Sequence, residues 1–257
     1  FEALLANTTG TANVAVGAGA SDANTDGDSN IAVGVGALGS DTRGNFSTAI
    51  GHAALNSQNT TNDTDMYNTA VGYLAGTLVT TGVNNTLIGG LAGDAITTAS
   101  YNTAVGYDSL SSATTGAANT AVGRTSLQYT TTGANNTALG YGALADNTTA
   151  SNNTAVGYTA LLRNTTGSAN TASGYGALND NTTGGSNVAI GHEAMQNNTT
   201  ASFNVAVGVD ALYTNTTGTR NSALGTSALA ANTTGNYNTS IGYQALDANT
   251  TGTHNTA

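Results

Sequence analysis

An asparagine recurs at every seventeenth position along most of the chain, and this period is the strongest constraint on the fold. The recurring residues are Asn13, Asn30, Asn68, Asn85, Asn102, Asn119, Asn136, Asn153, Asn170, Asn187, Asn204, Asn221, Asn238 and Asn255. Ser47 takes the place of the asparagine in one copy, and the interval from Ser47 to Asn68 is longer than the others by four positions. A repeat this strict predicts a quasi-one-dimensional stack in which each copy packs on its neighbours.

The copy at residues 153–169 shows the pattern of the unit, whose positions we number from its asparagine. Position 3 is nearly always Ala, position 4 is apolar in every copy but one, position 5 is Gly, and position 9 is mostly Leu. The unit then contains Asn-Thr-Thr-Gly, as at residues 164–167, which is typical of a turn. Apolar β-branched residues at position 4 favour a strand, whereas the Gly, Thr and Asn content of each unit disfavours a helix.

These patterns predict an all-β fold, a parallel β-solenoid (β-roll) with one 17-residue repeat per coil and about 15 coils. A β-hairpin would suit a single unit, but it does not explain identical spacing over the whole chain. We expect residues 1–257 to form a single repeat array, with a four-residue insertion within residues 47–67 that forms a loop at one corner. Identical residues would stack in ladders about 4.8 Å apart.

Each column of the stack has an expected role, shown by six residues of the most uniform copies. Asn136, Asn153 and Asn170 are expected to hydrogen-bond along the stack and to hold one corner. Val156 at position 4 and Leu161 at position 9 are expected to fill the interior, which would place the Ala at position 3 on an outer face suited to another copy. Gly157 at the strand end predicts a positive φ or a close backbone approach.

The charge balance excludes two classes of partner. Only 7% of the residues are charged, there are four Arg and no Lys, and the net charge is −10. We therefore expect no nucleic acid as a partner and no attraction to an anionic membrane, since both need a basic patch. No apolar run is long enough to predict membrane insertion. Cysteine is absent, so disulfides and thiol chemistry are absent too.

The motif Asn-Thr-Ala-Val-Gly-x-x-Ala-Leu, as at residues 153–161, resembles the Ser-x-Ala-Ile-Gly-x-x-Ala repeat of YadA-like trimeric autotransporter adhesin heads. The full unit with its Asn-Thr-Thr-Gly turn is also similar to repeat regions of phage tail fibres. The resemblance implies a left-handed parallel β-roll that trimerises, and it implies an extracellular location on a cell surface or virion. The unit is longer than the adhesin repeat, which leaves the shape of the coil open.

The repeat and the resemblance together favour a structural protein, the shaft or head of a bacterial surface fibre or phage tail fibre. Its partner would be another copy of itself, in a homotrimer or in a head-to-tail filament. A filament would cover the open sheet edge that a bare terminal coil presents. The alternative is an adhesin head that binds glycans or host matrix. No nucleophile or phosphate-binding constellation is visible, and the two glutamates, Glu2 and Glu193, are far apart in the predicted stack, so we expect no enzyme and no cofactor.

One segment suggests a metal. Asp22, Asn24, Asp26 and the following Gly27 match the first half of a calcium-binding loop, and Asp28 adds a further carboxylate. The closing Glu of such a loop is missing, since Val33 stands in its place. The segment is therefore interpreted either as a calcium site or as a solvated turn of the repeat.

Aromatic residues at position 6 suggest a second candidate site. Tyr141, Tyr158 and Tyr175 fall in three successive coils and predict a tyrosine ladder. Exposed rings of this kind could stack on sugar rings, as an adhesin requires, or they could stack on one another and stabilise the pairing of coils.

The turn motif also creates Asn-x-Thr sequons, which are acceptor patterns for N-glycosylation on a predicted surface turn. Examples are Asn147, Asn164, Asn181, Asn215, Asn232 and Asn249.

Overall fold

The computed structural model describes all residues from 1 to 257, and it divides into two units, Phe1–Thr132 and Gly133–Ala257. In the first unit the strands are β1 (Val14–Val16), β2 (Ile31–Val33), β3 (Gly44–Asn45), β4 (Thr48–Ile50), β5 (Thr64–Asp65), β6 (Thr69–Val71), β7 (Thr86–Ile88), β8 (Thr103–Val105) and β9 (Thr120–Val122). In the second they are β10 (Thr137–Leu139), β11 (Thr154–Val156), β12 (Thr171–Ser173), β13 (Val188–Ile190), β14 (Val205–Val207), β15 (Ser222–Leu224) and β16 (Thr239–Ile241). No helix in the chain is long and apolar enough to span a membrane.

The strands within each unit are parallel and pair in the order of the repeats. In the second unit Thr154 pairs with Thr171 and Ala155 with Ala172, so equivalent repeat positions face each other across neighbouring strands. In the first unit β1, β2, β4, β6, β7, β8 and β9 follow one another in the same way, and the inserted segment lets β5 pair with β3. The predicted all-β parallel β-solenoid is therefore confirmed, with about 13 turns, slightly fewer than the expected 15 coils.

The interior of each coil is filled by small residues and one large one. Ala155 and Ala160, at positions 3 and 8, and Leu161 at position 9 are all fully buried. Val156 at position 4 is 40% exposed, so the expectation that position 4 fills the interior was wrong. A three-residue strand points its middle side chain to one face and the two flanking side chains to the other. The Ala at position 3 lies inside, and positions 2 and 4 face outward.

One exchange in the first unit shows how little space this interior has. Leu87 replaces the usual Ala at position 3, while Gly76 and Gly93 replace Leu at position 9 of the preceding and the same coil. A Cβ added to Gly76 would lie 2.6 Å from Leu87 Cδ1, and one added to Gly93 would lie 2.7 Å from Leu87 Cδ2. The leucine therefore occupies the volume that two missing leucines leave, as a close-packed interior requires.

The backbone enters the left-handed region at regular places. Gly157 has φ +137°, and a Cβ there would collide with the carbonyl of Gly174 in the next coil, so both expectations for this glycine hold. Positions 7, 9 and 17 also have positive φ with side chains present, as in Thr159 (51°), Leu161 (53°) and Ala169 (59°). Each such residue costs on the order of 1 kcal/mol, which the packing and hydrogen bonds of the stack must offset.

The position-1 asparagines form a buried hydrogen-bonded ladder. The backbone N–H of Asn153 donates to Asn136 Oδ1 at 3.0 Å, and the N–H of Asn170 donates to Asn153 Oδ1 at 2.9 Å. Asn153 Nδ2 donates to the carbonyl of Gly167 at 3.0 Å, which closes the coil on itself. One side chain therefore fixes both the corner of its own coil and the register of the next.

A second ladder runs through the position-12 asparagines, which the sequence analysis assigned only to a turn. Asn164 Nδ2 donates to Asn147 Oδ1 at 3.0 Å, and Asn181 Nδ2 donates to Asn164 Oδ1 at 2.8 Å. The side chains of Asn147, Asn164 and Asn181 are fully buried. The prediction that these sequon asparagines lie on a surface turn was wrong, because their amides are used inside the stack and are closed to a modifying enzyme.

Replacing Asn153 by Ala should destabilise the protein by about 2–4 kcal/mol, because the N–H of Asn170 and the carbonyl of Gly167 would lose their buried partners. Thr166 is exposed and its hydroxyl makes no hydrogen bond, so Thr166→Ala is the matched control and should change stability by less than about 0.5 kcal/mol. Chemical denaturation measures both. Equal stability of the two variants would contradict the ladder.

Candidate functional surfaces

The outward positions of the strands form an apolar face in each unit. In the second unit its aliphatic members include Leu139, Val156, Ile190, Val205, Val207, Leu224 and Ile241, and in the first they include Val14, Val16, Ile31, Val33, Ile50, Val71, Ile88, Val105 and Val122. The most exposed reach 58% at Val16 and 62% at Ile241. No copy of the repeat has a charged residue at position 2 or 4. We call this surface the strand face.

The strand face has the features of a contact surface. Single exposed aliphatic residues are ordinary on a protein surface, but a continuous column of them is not. The polar members of the face are Thr and Ser at position 2 and Ser173 at position 4, which are uncharged and small. Burying this face therefore takes no charged group out of water. Burying the remaining surface of this acidic protein would.

Tyr141, Tyr158 and Tyr175 form the ladder expected at position 6. Successive ring centroids lie 5.2 and 5.3 Å apart with interplanar angles of 11° and 6°, and His192 continues the stack 5.1 Å beyond Tyr175. The rings are about half exposed, but the two faces of Tyr158 and Tyr175 are covered by their neighbours. Because a sugar stacks on a ring face, this arrangement favours the interpretation in which the tyrosines stabilise coil pairing.

Asn24, Asp26 and Asp28 of the suggested calcium loop turn to separate partners. Asn24 is buried, and its Oδ1 accepts a hydrogen bond from the N–H of Gly27 at 3.0 Å. Asp26 lies 3.4 Å from the guanidinium of Arg43. The expected convergence of ligands is absent here, because the side chains follow their columns in the stack.

The carboxylate of Asp28 in that loop also has protein partners. Asp28 accepts hydrogen bonds from the N–H and hydroxyl of Thr11 at 2.6 and 2.9 Å, and these bonds lower the pKa of its carboxyl group. Asp22, Asp26 and Asp28 do not bring their carboxylate oxygens within 4.8 Å of one another as a group. The structure therefore favours the solvated turn over the calcium site.

In the first unit a buried carboxylate stands in the position-12 column, between Asn24 and Gln58. Asp41 stands at position 12, is 3% exposed, and accepts hydrogen bonds from Gln58 Nε2 and from the N–H of Gly44. Burial raises the pKa of the Asp41 carboxyl group, and the hydrogen bonds from Gln58 and the backbone oppose this effect. In the preceding coil the residue at position 12 is Asn24, which uses both ends of its amide. Its Oδ1 accepts a hydrogen bond from the N–H of Gly27, and its Nδ2 donates one to the carbonyl of Gly27.

The coil at residues 47–67 carries the four-residue insertion, which forms an ordered protrusion. Its strand β5 pairs with β3, Asn45 Nδ2 donates to Asp63 Oδ1 at 2.5 Å, and the ring of Tyr67 stacks on Phe46 at 5.2 Å. Residues 61–63 at its tip are exposed and polar. The loop that the four-residue insertion predicts at one corner of the stack is therefore present.

No protein-family model, no curated protein and no solved structure matches this chain.

Asp41→Asn should stabilise the protein at pH 7 by about 1 kcal/mol, because an amide continues the ladder without burying a charge. A raised folded-state pKa means that the wild type loses stability as the pH rises above the unfolded value of about 3.9. The advantage of the variant should therefore shrink towards zero below pH 4. Thermal melts of both proteins between pH 3.5 and 7.5 measure this difference, and a pH-independent or negative difference would contradict it.

Proposed function

We propose that this chain is a structural module of an extracellular fibre, the shaft or head of a bacterial surface fibre or phage tail fibre. Copies would assemble side by side, as a homotrimer, through the strand face. The observation that supports this proposal is the column of exposed, uncharged aliphatic side chains that the in-register strands align in each unit. The extracellular location and the fibre role rest on the resemblance of the repeat to adhesin heads and tail-fibre regions.

The energetics favour a long interface over a short one. Burying a half-exposed Val or Leu contributes roughly 1 kcal/mol, which is far less than the translational and rotational entropy that association costs. A repeated column adds this contribution once per coil, so association becomes favourable only when many coils engage together. The function is then mechanical: hydrogen-bonded coils resist bending and proteolysis, and association of copies stiffens each narrow solenoid further.

The identity of the partner follows from the regularity of the face. A second copy of the same chain presents columns with the same spacing, so aliphatic side chains of one copy can pack between those of another along the whole contact. A partner of unrelated structure would match that spacing over only a short distance. The expectation that the Ala at position 3 forms this contact was wrong, because these alanines are buried inside the coil. In the proposed assembly the outward residues at positions 2 and 4 form the contact.

Sedimentation equilibrium tests the proposal. The wild-type chain should have three times the chain mass at micromolar concentration, and Val156→Lys/Ile190→Lys should be monomeric, because two buried charges per copy would oppose contact. Thr166→Lys/Thr183→Lys places the same charges at the exposed position 14 and should leave the trimer intact. A wild-type monomer, or a trimeric Val156→Lys/Ile190→Lys variant with unchanged circular dichroism, would refute association through the strand face.

A second candidate function is an adhesin head that binds glycans or host matrix, and the ordered protrusion of residues 47–67 supports it. Binding requires an irregular surface, and the exposed tip at residues 61–63 interrupts an otherwise uniform stack. Replacing residues 58–65 by the four-residue Asn-Thr-Thr-Gly turn restores a 17-residue coil and should abolish adhesion to a glycan array or matrix if this function is correct. Unchanged adhesion by the folded variant would exclude the protrusion as the binding site.

A further inference from the structure

Three potential metal ligands from two successive coils of the second unit lie together. His192 and Glu193 occupy positions 6 and 7 of one coil, and Asp210 occupies position 7 of the next. The N–H of Asp210 donates to the carbonyl of His192 at 3.0 Å, which holds the two coils in this register. One imidazole nitrogen and one oxygen from each carboxylate all lie within 4.8 Å of one another.

The charges of this cluster are poorly compensated by the protein. His192 Nδ1 lies 4.0 Å from Glu193 Oε2, and neither carboxylate accepts a hydrogen bond from the protein. Neither arginine of the second unit pairs with the cluster. Arg163 pairs with Asp180, and the guanidinium of Arg220 lies over the rings of Phe203 and Tyr237. The oxygens of these two half-buried carboxylates are therefore available to bind a cation.

The imidazole ring of His192 is held in a defined plane. It stacks on Tyr175 with a centroid distance of 5.1 Å and an interplanar angle of 10°. Stacking occupies one face of the ring and keeps its nitrogens at the edge, where Glu193 lies. A ring oriented in this way loses little conformational entropy when a nitrogen binds a metal.

The cluster is a local departure from the repeat and opens onto a groove. The other position-7 residues of the second unit are uncharged, namely Gly142, Thr159, Gly176, Ser227 and Gln244. Glu193 and Asp210 line a shallow groove of about 580 Å³ whose other walls include Tyr213, Gln244 and Asp247. The groove leaves space on one side of the cluster for water molecules or another ligand to complete a coordination shell.

From these observations we infer that His192, Glu193 and Asp210 bind a divalent transition-metal cation of the Zn²⁺ class. Imidazole together with two carboxylates suits Zn²⁺ and its neighbours, whereas Ca²⁺ and Mg²⁺ prefer oxygen ligands alone. Ligands about 2.0–2.2 Å from Zn²⁺ lie roughly 3–3.5 Å apart, so small rotations of these surface side chains close the site. A cation here would join two coils through their side chains. This site is separate from the strand face and does not depend on the proposed assembly.

Isothermal titration of the full chain with ZnCl₂ tests the inference. We expect one saturable site per chain, and His192→Tyr should weaken it by more than about tenfold, since an imidazole ligand is lost. Tyr is the residue of the three preceding coils at this position, so the stack should stay intact. Glu193→Gln and Asp210→Ser, which copy Gln244 and Ser227 at position 7, should weaken binding in the same way.

A second histidine supplies the matched control. His52 stands at position 6 and stacks on Tyr73 at 5.5 Å, but Ala53 follows it instead of a carboxylate. His52→Tyr should leave Zn²⁺ affinity unchanged. The inference is overturned if Zn²⁺ shows no saturable binding, if folded His192→Tyr binds as tightly as wild type, or if Ca²⁺ binds more tightly than Zn²⁺ at this site.

Discussion

The amide side chain of the position-1 asparagine is the interaction on which the rest of the structure depends. Its oxygen accepts the N–H of the equivalent asparagine in the next coil, and its nitrogen donates to the turn carbonyl of its own coil. Both groups are buried, so a lost partner costs more than an ordinary surface hydrogen bond. The register of the stack is therefore specified once in every repeat that has the asparagine, which is every copy except that of Ser47.

The narrow interior follows from this register. With Asn at two corners and Leu161 reaching across the coil, the usual side chains at positions 3 and 8 are small: Ala in most coils, and Ser at Ser109, Ser126 and Ser240. Where Leu87 enters position 3, glycines replace the leucines beside it. The larger aliphatic residues of the strands, at positions 2 and 4, are consequently placed outside. The same constraint that makes the coil thin therefore also creates the apolar strand face, which we propose as the contact between copies.

The sequence was sufficient to predict the parallel solenoid, because a strict period with Gly and Asn at fixed places fits stacked coils and little else. The roles of Asn153, Gly157 and Leu161 could be read from position alone. The orientation of Val156 could not, since a three-residue strand offers two faces and hydrophobicity favours burying Val over Ala. That preference fails here because the space beside the buried Leu161 accommodates only a small side chain at position 3. The positive φ of Leu161 has no sequence signal either, because leucine rarely adopts it.

The candidate sites illustrate the same limit. Asp22, Asn24, Asp26 and Asp28 are close in sequence, but neighbouring columns of a solenoid point in different directions, so the linear motif did not assemble. His192 and Asp210 belong to successive copies of the repeat and meet because one coil lies on the next. Aligning the copies by position would have revealed this cluster, since charged residues at position 7 of successive coils stand out against uncharged neighbours.

Amide hydrogen exchange at the position-1 asparagines measures the central interaction most directly. The backbone N–H groups of Asn153, Asn170 and Asn187 are bonded to side chains of the preceding coil and to no backbone carbonyl. The ladder predicts that they exchange as slowly as the strand amides of Thr154 and Thr171, through opening of the whole stack. Exchange of these asparagine amides at the rate of unstructured chain, with the strand amides still protected, would contradict it.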